Sequence, residues 1–534
     1  MNIFDRFERN VINHPNKPAF IYFDKTRWKI LTYKDILDKT QRFIAGLETG
    51  RYTSGMTAAV MSPPSADFFP FALALLKLGI VPILVEPALG IKKIREIYAE
   101  SKPDIFVGNA LTHALRMVFG WGRGSVKYNL SIAGIESGKW KGPSLSTPHF
   151  PLSSASPAAI IYTSGSTGLP KGAVYTQENL AAQLELLRNT FNITPNEIDL
   201  PAFPLYALID LLLGVTSVIP DITFPVPGKT NPTKVIDAIQ TFNVTNMFAS
   251  PVVLEILSSF AENNNSSSHP ILLSSLKRII TAGAPATIGL QKRFRNLLAD
   301  HTDLFGIYGA TETLPIAKVE SREVFALEEK IKNGVGIYLG KPIEGVTVRI
   351  IPITDEPIAE WQDSLTVKPN VVGEITVQSP ATTRAYIHRE DANRISKIEY
   401  REDIIHRMGD VGYFDEEGRL WYCGRKSHRV ITKDDVLFTE QIENIFNAHP
   451  QVKRTALVGV DGEPMLWVEL HKGIKAGKPQ IIAELKALAV SHPQASRIQT
   501  FLFLKKFPTD VRHNSKIIRE KLTELANRKS ITNH

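Results

Sequence analysis

The sequence predicts an α/β protein: a large N-terminal domain of mixed α/β layers carrying a barrel-like β subdomain, then a small α+β domain. Three observations lead there. A chain of 534 residues exceeds what one hydrophobic core supports, so two or more domains are expected. Over residues 1–150, helical patterns alternate with short apolar runs such as Ala58-Ala-Val-Met61 and Ile83-Leu-Val85, the pattern of strands between covering helices. Between 320 and 400 the pattern turns to β, and the chain beyond the 420s is long enough for a further small domain.

In chain order, the most apolar stretch is Phe68 to Leu89, interrupted by Lys77, Glu86 and three prolines. It reads as a core helix and then a strand, not a membrane span. Leu111-Thr-His-Ala-Leu-Arg-Met-Val-Phe-Gly-Trp-Gly-Arg123 is apolar, basic and glycine-bearing. A buried helix with a glycine stop is expected there, ahead of an acyl-tunnel wall, a lipid-facing element or a docking surface. Ala158-Ala-Ile-Ile-Tyr162 is short enough to be a buried strand. After a polar loop, Val174-Tyr-Thr-Gln leads into a helix with Leu180, Leu184, Leu187 and Phe191 on one face. Val244 to Pro251 and Ile279 to Pro285 each resemble a strand ending in a tight turn, and ligand crevices of open α/β sheets lie at such ends.

Val348-Arg-Ile-Ile-Pro-Ile353 and Gly373-Glu-Ile-Thr-Val377 supply the barrel-like subdomain. The C-terminal part reads as a helix near 440–448, strands at Thr455–Val460 and Leu466–Leu470, and a helix near 480–490. A strand at Phe501–Leu504 and a basic terminal helix complete it.

Composition narrows the function. Apolar residues at 43% and charged residues at 22% describe an ordinary globular protein. The net charge of +8 fits an anionic ligand or a membrane surface. It is spread along the chain without an arginine-rich arm, which argues against nucleic acid. A single cysteine, Cys423, excludes an internal disulfide framework and a cysteine zinc site and suits a reducing compartment. The charged N-terminus is no signal peptide, so a cytoplasmic protein is expected.

Three stretches carry chemistry. Thr163-Ser164-Gly165-Ser166-Thr167-Gly168-Leu-Pro-Lys171-Gly172 holds four hydroxyls, three glycines and a lysine. Glycines admit close backbone approach to an anion, hydroxyls and N–H groups donate to phosphate oxygens, and lysine adds a point charge. No Gly-Lys-Ser/Thr closes it, so it is not a Walker loop. Tyr308-Gly309-Ala-Thr311-Glu312 offers an aromatic to stack on a purine, a hydroxyl for phosphate and a carboxylate for magnesium. Asp410 and Arg425, in Arg407-Met-Gly-Asp410 and Cys423-Gly-Arg425, can meet ribose hydroxyls and phosphate.

Together these motifs resemble the adenylate-forming superfamily of acyl-CoA ligases, peptide-synthetase adenylation domains and luciferases, over almost the whole chain. The resemblance implies ATP and Mg2+ as cofactors, with Thr163–Lys171 at the triphosphate. It places Gly283, Ala284 and Pro285 along the adenine pocket, Tyr308 on adenine, Thr311 at the α-phosphate and Glu312 on the metal. Asp410 and Arg425 fall at the ribose. It also implies a hinge at 425–428 between an AMP-binding domain, 1–424, and a mobile domain, 429–534. From the latter Lys516 crosses the cleft during adenylation, and His428 at the hinge is a candidate base.

Four positions depart from the usual pattern. Ala207 stands where relatives carry a histidine or aromatic gate. Ser427 replaces a hinge aspartate or lysine, and Ser515 replaces the glycine before Lys516. Asp434 falls where thioester-forming relatives place a glycine beside their pantetheine tunnel. Asp434 and Ala207 speak against a CoA ligase, while Phe203-Pro-Leu, Arg407-Met-Gly-Asp410, Gly424-Arg-Lys-Ser-His428-Arg and Arg512-His-Asn-Ser-Lys516 resemble the olefin-biosynthesis branch of the OleC type. That branch implies adenylation of a long-chain 2-alkyl-3-hydroxy fatty acid and closure to a β-lactone, within a hydrocarbon or lipid pathway whose other enzymes are possible partners. A fatty acyl-CoA or acyl-carrier ligase, and a non-catalytic nucleotide-binding pathway partner, stay open as alternatives.

Overall fold

A computed structural model describes residues 3–24, 26–50, 52–136, 152–162, 170–220, 227–264, 271–474, 477–509 and 516–532. Three larger sheets organise the chain up to Arg425. The first is six-stranded, in the order Tyr128–Leu130, Ile105–Gly108, Thr57–Met61, Val81–Leu84, Pro157–Tyr162, Gly172–Thr176. All neighbours are parallel except the last pair, where Tyr162 stands opposite Gly172. The hydroxyl-rich stretch therefore connects two antiparallel strands, in keeping with its apolar flanks. A Cβ on Gly172 would lie 2.8 Å from the Tyr162 ring, so only glycine fits where the second strand leaves the loop.

The second sheet has nine strands. Its centre is parallel, from Asp303–Ala310 through Arg278–Thr281, Asn246–Ala249, Ile198–Pro201 and Thr216–Ile219 to Pro18–Asp24. Antiparallel strands, Thr313–Glu320 at one side and Arg27–Thr32 at the other, flank it. Helix Phe68–Leu78, nine of whose residues are buried, sits in the core between the layers with Phe4, Phe7, Phe20 and Phe43. Each such ring contributes about 1.5–3 kcal/mol through burial.

The third sheet is antiparallel: Ile337–Tyr338, Leu420–Arg425, Asp403–Phe414, Gly373–Gln378 and Thr347–Ile351, with Lys397–Tyr400 also on Asp403–Phe414. It is the β subdomain expected from the 320–400 pattern, and its strand order leaves two ends rather than closing into a ring. Beyond it, strands Val452–Val460, Glu463–Leu470 and Thr500–Phe503 form a small sheet packed with helices Thr439–Asn447, Lys478–Ala489 and Arg519–Thr532. Every element expected there is present. A Cβ on Gly424 would lie 2.2 Å from Thr439 Oγ1, so the last strand before this unit meets its first helix at backbone distance.

The expected buried helix at Leu111–Arg123 is overturned. Helix Ala110–Phe119 ends, as predicted, at a glycine, Gly120, with φ of 67°, but none of its residues is buried. Leu111, Ala114, Met117 and Val118 fall on the outer side, while half-buried Leu115 and Phe119 pack on the core of Phe106 and Trp121. Among the described residues no helix is long and apolar enough to cross a membrane.

Candidate active site

Two of the three chemical motifs meet where the second and third sheets face each other. Strands Asp303–Ala310 and Thr313–Glu320 pair with Ala310 opposite Thr313, so Thr311 and Glu312 are the two residues of a hairpin turn. The parallel neighbour places Thr281 opposite Gly306. Gly283, with φ of 92°, then carries the Gly283-Ala284-Pro285 turn out of the sheet on the side where Tyr308 comes after Gly306. A Cβ on Gly309 would meet Leu314 Cδ1 at 2.5 Å and the Thr313 carbonyl oxygen at 3.0 Å, so the hairpin is tightly packed at this position.

Each hairpin residue is fixed from another part of the chain. Tyr308 donates its hydroxyl to Asp410 Oδ2 at 2.7 Å. The Thr311 carbonyl accepts from the Tyr175 hydroxyl. Glu312 is buried; its Oε1 accepts from the Tyr386 hydroxyl at 2.7 Å, and its carbonyl accepts from Thr383 N–H at 2.8 Å. A buried carboxylate is costly without such partners. Its Oε2 has no hydrogen bond or ion pair among the described residues.

Lysines surround this carboxylate. Lys171 Nζ lies 5.2 Å from the centre of the Tyr386 ring and Lys397 Nζ 5.3 Å from it. Burial pushes the Lys171 pKa down while the Glu312 charge pulls it back up. Burial brings Lys397 to about 7, again opposed by Glu312, and its ammonium donates to the Thr383 carbonyl. Helix Gln177–Phe191 anchors the segment leading to Tyr386: Asn179, part of the cap at Thr176, donates its amide to the carbonyls of Pro380 and Thr382 at 3.1 and 3.0 Å.

Asp410 is the second anchor. Burial raises its pKa; Arg425, the Tyr308 hydroxyl and the Lys516 charge act against that. Arg425 Nη1 is 3.0 Å from Asp410 Oδ1, yet that oxygen is buried and accepts no hydrogen bond. An acceptor held in this way, beside a cation and in a carboxylate fixed by the Tyr308 hydroxyl, suits a ribose hydroxyl.

Lys516 is exposed and sits one residue before a small bridge, in which Thr509 stands opposite Ile517 and Ile518 N–H donates to the Pro508 carbonyl at 2.9 Å. The C-terminal lysine and the Asp410 carboxylate are close enough for the one charge to act on the other.

Thr163, Ser164, Gly165, Ser166, Thr167 and Gly168 lie outside the described residues, as do Arg512 to Ser515. His428 stands apart from the cluster, on the turn Lys426–His428, with Nε2 buried, without a hydrogen bond, and 3.7 Å from Glu520 Oε1. Burial, then Arg519 and Arg425, lower its pKa to about 3. A base acts best with a pKa near the working pH, so its candidate role as a base is not supported. Ala207 opens helix Ala207–Leu213 and is fully buried. Asp434 is exposed in the loop between Val430–Ile431 and Val436–Leu437.

Three residues of the site, Tyr175, Tyr386 and Lys397, escape a reading of the sequence. Tyr175 lies in an apolar run that signals only a strand, Tyr386 stands among charged residues (Arg384, His388 and Arg389) that read as a surface loop, and Lys397 reads as a surface charge.

Glu312 can be tested against a magnesium ion. Among the described residues no cluster of three or more acidic, histidine or cysteine groups could hold a metal. A single buried carboxylate with one uncommitted oxygen fits an ion that takes most of its ligands from water and phosphates, as Mg2+ does.

The family described as AMP-binding enzyme matches residues 7–387. The chain is 39% identical over 513 residues to the olefin beta-lactone synthetase of Xanthomonas campestris pv. campestris, covering 92% of this chain and 90% of that one. It is 38% identical over 511 residues to the olefin beta-lactone synthetase of Stenotrophomonas maltophilia, with the same coverage. The fold is similar to that of O-succinylbenzoate coenzyme A synthetase from Bacillus subtilis, solved in complex with ATP and magnesium ion: TM-score 0.76 at 21% identity, over 97% of this chain and 98% of that one.

Proposed function

The chain belongs to the AMP-binding enzyme family, and from that premise we propose that it activates a long-chain 2-alkyl-3-hydroxy fatty acid with ATP and closes the acyl-adenylate to a β-lactone. The observation that carries the adenylation geometry is the hydrogen bond of 2.7 Å from the Tyr308 hydroxyl to Asp410, whose other oxygen lies 3.0 Å from Arg425, because it joins the nucleotide motifs of two sheets in one site. The Lys516 charge also acts on Asp410, which supports a C-terminal cation facing that site.

In this reading the Tyr308 ring and the turn Gly283–Pro285 receive adenine. Asp410 Oδ1 accepts a ribose hydroxyl with Arg425 beside it, and Lys171 meets the outer phosphates together with Thr163–Gly168. A magnesium ion on Glu312 would neutralise phosphate charge. A substrate carboxylate oxygen attacks the α-phosphorus, the bond to the bridging oxygen breaks, and pyrophosphate leaves. Lys516 and the Thr311 hydroxyl stabilise the charge that builds on the α-phosphoryl oxygens, and such preorganised donors are worth about 3 kcal/mol or more.

The second step needs no further substrate. The 3-hydroxyl oxygen attacks the acyl carbon, the bond to AMP breaks, AMP leaves, and the hydroxyl proton passes to solvent. Tethering makes this attack intramolecular, so no second substrate has to be bound and oriented, and release of AMP from the activated acyl group offsets the strain of the four-membered ring. Support comes from the likeness to two olefin beta-lactone synthetases along nearly the whole chain. The test is a product assay with ATP and a 2-alkyl-3-hydroxy acid, run with and without CoA. AMP, pyrophosphate and a neutral product one water lighter than the acid are expected in both. Accumulation of acyl-CoA with a severalfold rise in turnover would replace the lactone by a thioester ligase.

A further inference from the structure

Helix Ala110–Phe119 packs Leu115 and Phe119 on the core beneath it but leaves a second apolar stripe uncovered. Asn109 and Thr112 exchange hydrogen bonds of 2.9 Å at its start. Leu111, Ala114, Met117 and Val118 recur at helical spacing and are all exposed, Leu111 by 65%, Met117 by 72% and Val118 by 75%. An ordinary surface helix turns such a stripe inward.

A groove of about 440 Å³ runs beside it, lined among others by Arg95, Arg116 and Arg123 with Met117, Val118 and Trp121. The start of helix Ile91–Ser101 is tied to this groove, because Trp121 Nε1 donates to the Ile91 carbonyl at 3.3 Å. That start adds exposed Ile91, Lys92 and Lys93. Among the described residues none of Lys92, Lys93, Arg95, Arg116 and Arg123 forms an ion pair, and Arg116 Nε is buried without a hydrogen-bond partner.

An exposed apolar stripe bordered by unneutralised cations matches the chemistry of an anionic bilayer surface, whose phosphates meet lysine and arginine while its acyl chains accept apolar side chains. A protein partner would have to supply a dense acidic ring around an apolar centre; an anionic bilayer presents negative charge and acyl chains everywhere. We propose that this face docks the enzyme on an anionic phospholipid membrane, with the arginine groove seating a lipid phosphate and Leu111, Met117 and Val118 entering among the acyl chains. Docking of this kind is independent of which acid the active site takes.

The test is cosedimentation of the full chain with phosphatidylcholine vesicles made with or without phosphatidylglycerol. Binding is expected only where phosphatidylglycerol is present, and it should fall as salt rises. Replacing the exposed cations by Lys92→Gln, Lys93→Gln, Arg95→Gln and Arg123→Gln should weaken partition about fivefold for each charge removed. Met117→Gln with Val118→Gln should weaken it while leaving the salt dependence in place. Both sets should keep the thermal midpoint and the turnover of a soluble short-chain acid. No binding to the anionic vesicles, or equal binding by wild type and variants, overturns the proposal. So does loss of self-association by the Met117/Val118 variant without lipid, which would assign the face to a second copy of the chain.

Discussion

Tyr386 donates its hydroxyl to Glu312 Oε1 at 2.7 Å, across 74 residues of sequence. Both residues are buried, and Lys171 and Lys397 lie 5.2 and 5.3 Å from the same ring. One phenol therefore ties the carboxylate of the hairpin turn to a cation from the first sheet and another from the third. The bond orients Glu312 and leaves its second oxygen for a ligand.

Glu312→Gln keeps size and hydrogen-bonding capacity but removes the anion. Acid-dependent pyrophosphate release should fall, with partial recovery at high magnesium. Tyr386→Phe keeps the anion and removes its donor, at a cost of about 1–3 kcal/mol for a buried acceptor left unpaired. It should lower the thermal midpoint more than it changes the magnesium requirement. Magnesium titrations of both variants check this, and an unchanged requirement in Glu312→Gln would leave that residue a structural role only.

Lys516→Ala should abolish acid-dependent pyrophosphate release while ATP still binds, because the lost charge acts on the transition state more than on the bound nucleotide. The expected loss corresponds to about 3 kcal/mol or more. Nucleotide affinity by calorimetry and pyrophosphate release, measured on the same preparation, separate the two. Release at the wild-type rate contradicts the assignment.

These residues differ in how visible they are in the sequence. Glu312 and Lys516 stand in short runs whose chemistry is local, so hydroxyls, glycines and charges announce themselves by neighbourhood. The strands around 157–176 are legible for the same reason, being apolar runs with a polar loop between. Tyr386 and Lys397 gain their meaning only from the approach of Glu312 and Lys171, which are distant in sequence, and nothing in their own neighbourhood marks it. Helix Ala110–Phe119 shows the opposite limit. Apolar composition indicates that a face wants cover, but not whether this chain supplies it, so a helix expected inside lies outside.

Lys397 should leave a mark on stability. Burial lowers its folded-state pKa from the ordinary 10.5 to about 7. Between these values the unfolded chain holds the proton and the folded chain does not, so stability attributable to this group rises with pH across that window. Below about 7 both states are protonated and the full cost of burying the ammonium is borne. Lys397→Met removes the cost while keeping the aliphatic bulk. Its thermal midpoint should exceed that of the wild type most at pH 7 and converge toward it as pH approaches 10. Melting curves of both proteins across this range decide it, and a difference that does not change with pH would mean the lysine does not titrate there.

A long-chain fatty acid without a 3-hydroxyl separates the two chemical steps. It offers the carboxylate that attacks the α-phosphorus, so the first step should proceed. It lacks the internal oxygen that would release AMP, so the adenylate should stay bound. Pyrophosphate release should then appear as a burst near one equivalent per enzyme, succeeded by a rate far below that with the hydroxy acid. Adding CoA should not restore turnover if closure by the internal hydroxyl is the only exit. Ala207 and Asp434 do not decide this: one is enclosed in the core and the other exposed on a loop, so neither is seen to close a thiol path. The burst therefore has to be measured with and without CoA. Steady turnover of the simple acid in the presence of CoA would show a thioester exit, and with it a ligase rather than a lactone synthetase.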